Sequence, residues 1–348
     1  MNRKKTDAAT FLELSKTIPV CDVRSPHEYD SGHIPGAVNI PLFTDTERKA
    51  VGIKYKHEGR MPAINEGLSL AGPHLAGKLD AAHRLSADGR LLVYCWRGGM
   101  RSESMAWLFS LAGIRTCVLE GGYKAYRRHI LAKLAEQRKL IILGGLTGSG
   151  KTHILNYLKT QQQQSIDLEG LASHKGSAFG ALGQAPQPTT EHFANILYRE
   201  WAETLPSAPL WLEDESRNIG SVFMPEKLYG AMQNSPVIVL MMDMALRLPR
   251  LQQEYSAFPE NELAAAVQRI ARRLGGSNVN EALKAIAAGN FARAIEITLT
   301  YYDRAYLYGL SRKPPQNIIY VHTDTDNVNE NAGRILEAAG RIKWVNCY

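Results

Sequence analysis

Short apolar runs closed by charged or glycine-rich residues recur along the chain and read as buried strands. They are Ile18-Pro-Val-Cys-Asp-Val23, Leu91-Leu-Val-Tyr94, Thr116-Cys-Val-Leu119, Lys139-Leu-Ile-Ile-Leu143, Ser165-Ile-Asp-Leu168, Leu210-Trp-Leu-Glu213, Val237-Ile-Val-Leu-Met-Met242 and Asn317-Ile-Ile-Tyr-Val-His322. Between them lie helical stretches. Ser25-Pro-His-Glu-Tyr29 has helix-start chemistry, Ser102 to Ala112 follows a glycine-rich turn, and one helix carries Ile154, Leu155 and Leu158. Residues 123–137 read as a basic helical link, and 245–310 as mostly helical from their Ala/Leu periodicity. Strands alternating with helices predict an α/β fold with mainly parallel sheets. The longest aliphatic runs are strand-sized, so no membrane span is expected.

Two of the strands deliver chemistry at their carboxyl ends, where open α/β sheets place ligands. The first leads into Cys95-Trp-Arg-Gly-Gly-Met-Arg101. A thiolate is the reactive form of cysteine, and a ring of backbone N–H groups with nearby arginines stabilises it. Gly98 and Gly99 permit such a ring, Arg97 and Arg101 add positive charge, and Cys95 is the candidate catalytic nucleophile. The second leads into Gly145-Leu-Thr-Gly-Ser-Gly-Lys-Thr152, a strand, Gly-x4-Gly-Lys-Thr, helix arrangement that cradles phosphate. Gly145, Thr147, Gly148, Ser149 and Gly150 shape this loop, Lys151 supplies charge, and Thr152 is placed to ligate Mg²⁺. The loop reads a diphosphate without reading what is attached to it.

After Leu210-Trp-Leu, the acids Glu213, Asp214 and Glu215 stand where a catalytic acid or a Mg²⁺-binding carboxylate belongs. No metal site is certain from the pattern. The polar, glycine-rich loop holding His174 and Ser177 is expected to face the ligand, as is Arg217. Arg272 and Arg273, with Arg269, are candidates for lid or nucleic-acid contacts. Phe179, Phe193, Leu197, Trp201 and Phe223 are apolar candidates for a ligand pocket that the sequence does not separate from core.

Composition changes this picture little. Hydrophobic residues make up 45% and charged residues 22% of the 348 positions, as in ordinary globular proteins. Four cysteines, at 21, 95, 117 and 347, show neither metal spacing nor disulfide density and read as free thiols in a reducing, cytoplasmic compartment. Cys21 and Cys117 lie inside apolar strands. Charge is more telling. The net is +7, and residues 1–137 hold 20 Lys and Arg against 14 Asp and Glu. Lys124, Arg127, Arg128, Lys133, Arg138 and Lys139 cluster near residue 130 beside Tyr123 and Tyr126, as a nucleic-acid backbone contact requires.

Residues 10–130 resemble a rhodanese domain in Asp22-Val-Arg24, Gly32-His-Ile-Pro-Gly-Ala37, the cysteine loop and Leu119-Glu-Gly-Gly122. The spacing from Cys95 to Arg101 is one residue longer than in the short sulfurtransferase loop. It suits a larger anion or atom, and rhodanese-related phosphatases share it. The expected organisation is a rhodanese-like domain over 1–130 and a P-loop domain over 131–348, with a helical insertion or lid at about 245–310.

The combination of both domains with Glu120-Gly-Gly-Tyr-Lys-Ala-Tyr-Arg127, Asp167-Leu-Glu-Gly-Leu171, His174-Lys-Gly-Ser-Ala-Phe-Gly180, Glu215-Ser-Arg217 and Arg273-Leu-Gly-Gly276 resembles the tRNA 2-selenouridine synthase family across essentially the whole chain. That resemblance implies replacement of sulfur by selenium in wobble 2-thiouridine of tRNA. The selenium donor is selenophosphate, supplied by selenophosphate synthase, and geranyl diphosphate forms an S-geranyl intermediate. No tightly bound cofactor is implied. The alternatives are an ATP-dependent sulfurtransferase or small-molecule kinase fused to a rhodanese domain, a nucleotide-gated sulfur carrier and, more weakly, a phosphatase.

Overall fold

A computed structural model of the chain describes residues 4–344, so Cys347 lies outside the described residues. The chain divides after Lys133 into two compact units.

The first unit holds a five-stranded, all-parallel sheet. Its strands are β1 (Lys4–Thr6), β2 (Val20–Asp22), β3 (Val38–Asn39), β4 (Arg90–Tyr94) and β5 (Arg115–Leu119), in the order β1-β5-β4-β2-β3. The central strand β4 is buried from Leu91 onward and is apolar on both faces. Leu91 and Val93 join the core of Cys21, Val23, Met105 and Phe109. On the ring-lined side, Tyr94 meets Phe11 edge-on at 6.4 Å. The helix expected at Ser102–Ala112 spans Met100–Leu111. The basic stretch forms a helix over Gly122–Lys133.

Three helices between β3 and β4, Asp45–Glu58, Arg60–Ala71 and Leu75–Leu85, had no counterpart in the sequence reading. Asp45–Glu58 buries no residue and therefore shows no apolar stripe. Its start was nonetheless written locally, by a capping box of Thr44 and Glu47.

The second unit holds another five-stranded parallel sheet, made of β6 (Leu140–Gly145), β7 (Gln164–Ile166), β8 (Leu210–Glu213), β11 (Val237–Met242) and β12 (Ile318–Thr323). Its order is β12-β11-β6-β8-β7, and a small antiparallel pair, β9 (Asn218–Ile219) and β10 (Val222–Phe223), stands apart from it. β6 is central and wholly buried. Leu140 and Ile142 face one core and Ile141 and Leu143 the other, the two-residue period of a strand covered on both sides.

The strand expected at Ser165–Leu168 ends early, at Ile166. Asp167 instead caps a short helix over Leu168–Ala172, its carboxylate accepting the Gly170 N–H at 2.7 Å. Residues 244–310 are helical, in the segments Met244–Tyr255, Glu260–Arg269, Ala271–Leu274, Gly276–Ala287 and Phe291–Leu310, and they share their own apolar cluster. The chain then returns to the sheet as β12. Among the described residues no helix is long and apolar enough to cross a membrane.

Candidate functional sites on the cysteine and phosphate loops

In the first unit β4 ends at Tyr94 and the next residue, Cys95, is 3% exposed. Its Sγ lies 3.2 Å from the Ser102 Oγ, and the Ser102 hydroxyl is 3.0 Å from the Gly99 carbonyl oxygen. The loop is closed by the turn after β5. Tyr123 N–H donates to the Cys95 carbonyl at 2.8 Å and Lys124 N–H to that of Trp96 at 3.1 Å. Gly122 has φ +60, and a Cβ there would overlap the Cys95 carbonyl oxygen and the Gly98 nitrogen. The cysteine loop and the Glu120-Gly-Gly122 turn are thus one interlocked object.

Arg101 does not stand free in this loop. Its guanidinium forks onto Glu28, at 2.5 and 3.3 Å. Burial alone would raise the Glu28 carboxyl, but Arg101, with Arg48 3.6 Å away, outweighs it and holds the group below the ordinary glutamate value. Arg97 is exposed and Gly99 half-buried at the mouth. Behind the loop, Arg24 and Asp22 form a fully buried pair at 2.6 Å, with the Arg24 guanidinium 3.9 Å from the centre of the Tyr123 ring. The motif Asp22-Val-Arg24 is therefore a brace under the site. Cys21 is fully buried, and burial pushes its thiol up, leaving it unsuited to nucleophilic work. Lys124 and Arg128 are exposed and Arg127 half-buried on the helix that begins at the closing turn.

In the second unit the phosphate loop runs from Gly145 to the helix Lys151–Thr160. Lys151 Nζ donates to the Gly145 carbonyl at 3.1 Å. Thr152 Oγ1 donates to Glu213 at 2.7 Å and lies 3.4 Å from Glu169. Glu213 is fully buried, and its carboxyl is pushed up to about 8, by burial first and then by the charges of Glu169 and Asp167. Glu169 and Glu215 are raised too, burial again leading, with the charge of Asp167 adding for Glu169 and the charges of Glu169 and Glu213 adding for Glu215. At neutral pH the Glu213 carboxyl therefore holds a proton or requires a cation. Among the described residues no group of three or more Asp, Glu, His or Cys side chains is arranged as a metal site on its own.

Asp214 points away from this group. It pairs with Lys313 at 2.5 Å and accepts from the Tyr306 hydroxyl at 3.1 Å, while that hydroxyl accepts the Gly145 N–H at 2.9 Å. The three acids expected as one set are thus divided, Glu213 and Glu215 on one side and Asp214 on the other. Ser149 is buried.

A cavity of about 550 Å³ opens over this loop. Gly145, Thr147, Gly148, Gly150, Lys151, Thr152, Ser177 and Glu215 line it, as the sequence suggested, together with Glu169, Arg250, Tyr255, Tyr302 and Tyr306, which sequence reasoning did not assign to it. His174 is buried beside it, packed against Gly180 and Gly220, with its imidazole lowered by burial and by Arg269. Arg217, Arg272 and Arg273 are exposed and do not line the cavity. Phe193, Leu197 and Trp201 belong to the core beneath the sheet, and Phe223 is exposed. Phe179 stacks at 4.8 Å on the cavity-lining Tyr255. Arg138 is engaged with Trp201, its guanidinium 4.8 Å from a ring centre.

Comparison with known proteins accounts for both halves. Residues 7–129 match the model of the rhodanese-like domain, and residues 138–337 that of the tRNA 2-selenouridine synthase AAA domain. A tRNA 2-selenouridine synthase of Shewanella piezotolerans (strain WP3 / JCM 13877) is 36% identical over 332 residues, covering 85% of this chain and 89% of that protein. Another, from Shewanella sp. (strain MR-7), is 34% identical over 336 residues, covering 85% and 88%.

Proposed function

The chain belongs to the tRNA 2-selenouridine synthase family, and from that premise we propose that it exchanges sulfur for selenium in wobble 2-thiouridine of tRNA in two steps. In the first, the base sulfur attacks C1 of geranyl diphosphate. The S–C1 bond forms, the C1–O bond breaks, diphosphate leaves, and the N3 proton of the base is lost. In the second, water cleaves the P–Se bond of selenophosphate, phosphate leaves, and the hydroselenide released adds at C2 while the sulfur departs as geranyl thiol. Alkylation is what makes that departure feasible, because it converts a poor leaving group into a thiol.

The observation that carries this reading is the shared cavity of about 550 Å³, in which the phosphate loop and Lys151 stand beside Leu251, Tyr255 and Tyr302. A diphosphate on the loop would leave its hydrocarbon tail against those rings. Thr152 with the Glu213 and Glu169 carboxyls fits a Mg²⁺ that also binds a diphosphate, since Mg²⁺ takes one or two protein carboxylates plus phosphate oxygens. Such an ion would offset the charge of the leaving group.

Cys95, on its closed loop, is assigned to the second step, where its thiol and the surrounding loop direct the selenide-level selenium onto C2 without changing its oxidation state. Lys124, Arg127 and Arg128, on the helix leaving that loop, are assigned to the tRNA backbone, with the target base extruded from its stack. The test is incubation with 2-thiouridine tRNA, geranyl diphosphate and selenophosphate, each omitted in turn, followed by mass spectrometry of the nucleosides. The expected products are a geranyl adduct without selenophosphate and a sulfur-to-selenium change with both donors. Cys95→Ala should stop the second product and spare the first. Unchanged tRNA under every condition would refute the proposal in favour of an ATP-linked sulfurtransferase.

A further inference from the structure

Helix Met244–Tyr255 lies across the phosphate loop and presents Arg247, Arg250 and Leu251 to it, the i, i+3, i+4 positions of one helical face. The two arginines are in different electrostatic states. Arg247 is 2% exposed and forks onto Asp303 at 3.1 and 2.7 Å while donating to the Thr147 carbonyl at 2.9 Å. Its charge is compensated and it holds the loop in place. Arg250 donates only to carbonyl oxygens, that of Gly148 at 3.4 Å and that of Asp326 at 3.0 Å. Among the described residues it has no ion pair, yet it lines the cavity.

Its guanidinium rests against the loop so closely that a Cβ on Gly150, which has φ +80, would overlap Nη1. The remaining lysine or arginine charges lining the cavity are Lys175, which is paired with Glu254, and Lys151. Lys151 stands among the acids Asp167, Glu169 and Glu215 that also line the cavity. A diphosphate carries more negative charge than one ammonium offsets, and a guanidinium fork matches phosphate oxygens two at a time.

We propose that Arg250 is the second cation of the diphosphate site, gripping the phosphoryl group beyond the one cradled by the loop amides and Lys151. This rests on the diphosphate reading of the loop given above. Arg250 thereby takes the part the sequence suggested for Arg272 and Arg273, whose side chains are exposed on a four-residue helix. It favours ligands with two linked phosphoryl groups over those with one, because the loop supplies the first contact and Arg250 only the second.

The test uses the full-length protein and two probes, inorganic pyrophosphate and orthophosphate, titrated by calorimetry with Mg²⁺ against the native chain, Arg250→Ala and Arg250→Lys, with thermal melting and tRNA binding measured in parallel. Arg250→Ala should weaken pyrophosphate about 10- to 100-fold, the scale of a lost charge-assisted hydrogen bond pair. Orthophosphate affinity should stay within about twofold, since its contacts are made by the loop. Arg250→Lys should recover part of the loss.

Pyrophosphate affinity within about twofold of native in Arg250→Ala would overturn the assignment while leaving the loop reading intact. Equal losses for both anions together with a lowered melting point would also overturn it, by making Arg250 a loop support. A native chain that binds neither anion would overturn the diphosphate reading itself, and the Arg250 assignment with it.

Discussion

Replacing Glu213 by glutamine is expected to stabilise the ligand-free protein in alkaline solution and to leave it unchanged in acid. The Glu213 carboxyl is fully buried and raised from the ordinary 4.5 to about 8. The unfolded chain therefore releases this proton near pH 4.5, while the folded chain keeps it until about pH 8. Between those values the folded state binds more protons, so its stability falls as pH rises, and above about 8 the loss is constant.

At about 1.36 kcal/mol per pH unit, the full interval corresponds to about 5 kcal/mol. Glu169 and Glu215 share the repulsion and re-titrate when Glu213 loses its charge, so the single substitution should recover about 2–5 kcal/mol. The glutamine oxygen can still accept from Thr152, and its amide NH₂ takes the place of Oε2, a buried atom without a hydrogen-bond partner, at a cost that does not vary with pH. Urea unfolding of both proteins at pH 5, 7 and 9 measures the difference. The reasoning fails if the gain in midpoint is the same at pH 5 and pH 9, because a packing effect would not depend on protons. The proposed geranylation step should slow in the same variant, as expected where destabilising charge serves ligand binding.

Gly122→Ala should destabilise the first unit by about 3–4 kcal/mol, combining about 1–2 for an L residue at positive φ with about 1 for each of the two hydrogen bonds that close the cysteine loop. It should also change the alkylation rate of Cys95, and an unchanged melting curve with native thiol reactivity would disprove the interlocked-loop account. Lys313→Met should cost about 3–5 kcal/mol by leaving the Asp214 carboxylate buried without its cation. Adding Asp214→Asn should restore most of that in a double-mutant cycle, and additive losses would disprove the coupling.

Features written in neighbouring residues were legible in the sequence. Leu210–Glu213 and Val237–Met242 form strands over those residues, and the Gly-x4-Gly-Lys-Thr spacing sits between a strand and a helix. The cavity walls were not legible, because their members meet only through the fold. Tyr306 touches Gly145 from 161 positions away, and Lys313 reaches Asp214 across 99. Glu169 lies just past the strand expected at Ser165–Leu168, and it comes to face the loop only because Asp167 caps a helix there instead.

The division among Glu213, Asp214 and Glu215 did carry a local signal. Side chains alternate along an extended chain, so the first and third share a side and the middle one does not. The helices from 45 to 85 escaped notice for the opposite reason. Where a helix buries little, its sequence has little apolar period to show.

The Tyr306 hydroxyl bond to Gly145 also bears on how the protein comes into being. The phosphate loop leaves the ribosome with its first amide unclaimed, and the helix that claims it is synthesised 161 residues later. At roughly 5–20 residues per second, the loop waits on the order of 10–30 s for that partner. During this interval the nascent chain exposes the loop without the helix that backs it, and its final shape is set only as the last part of the second unit is made.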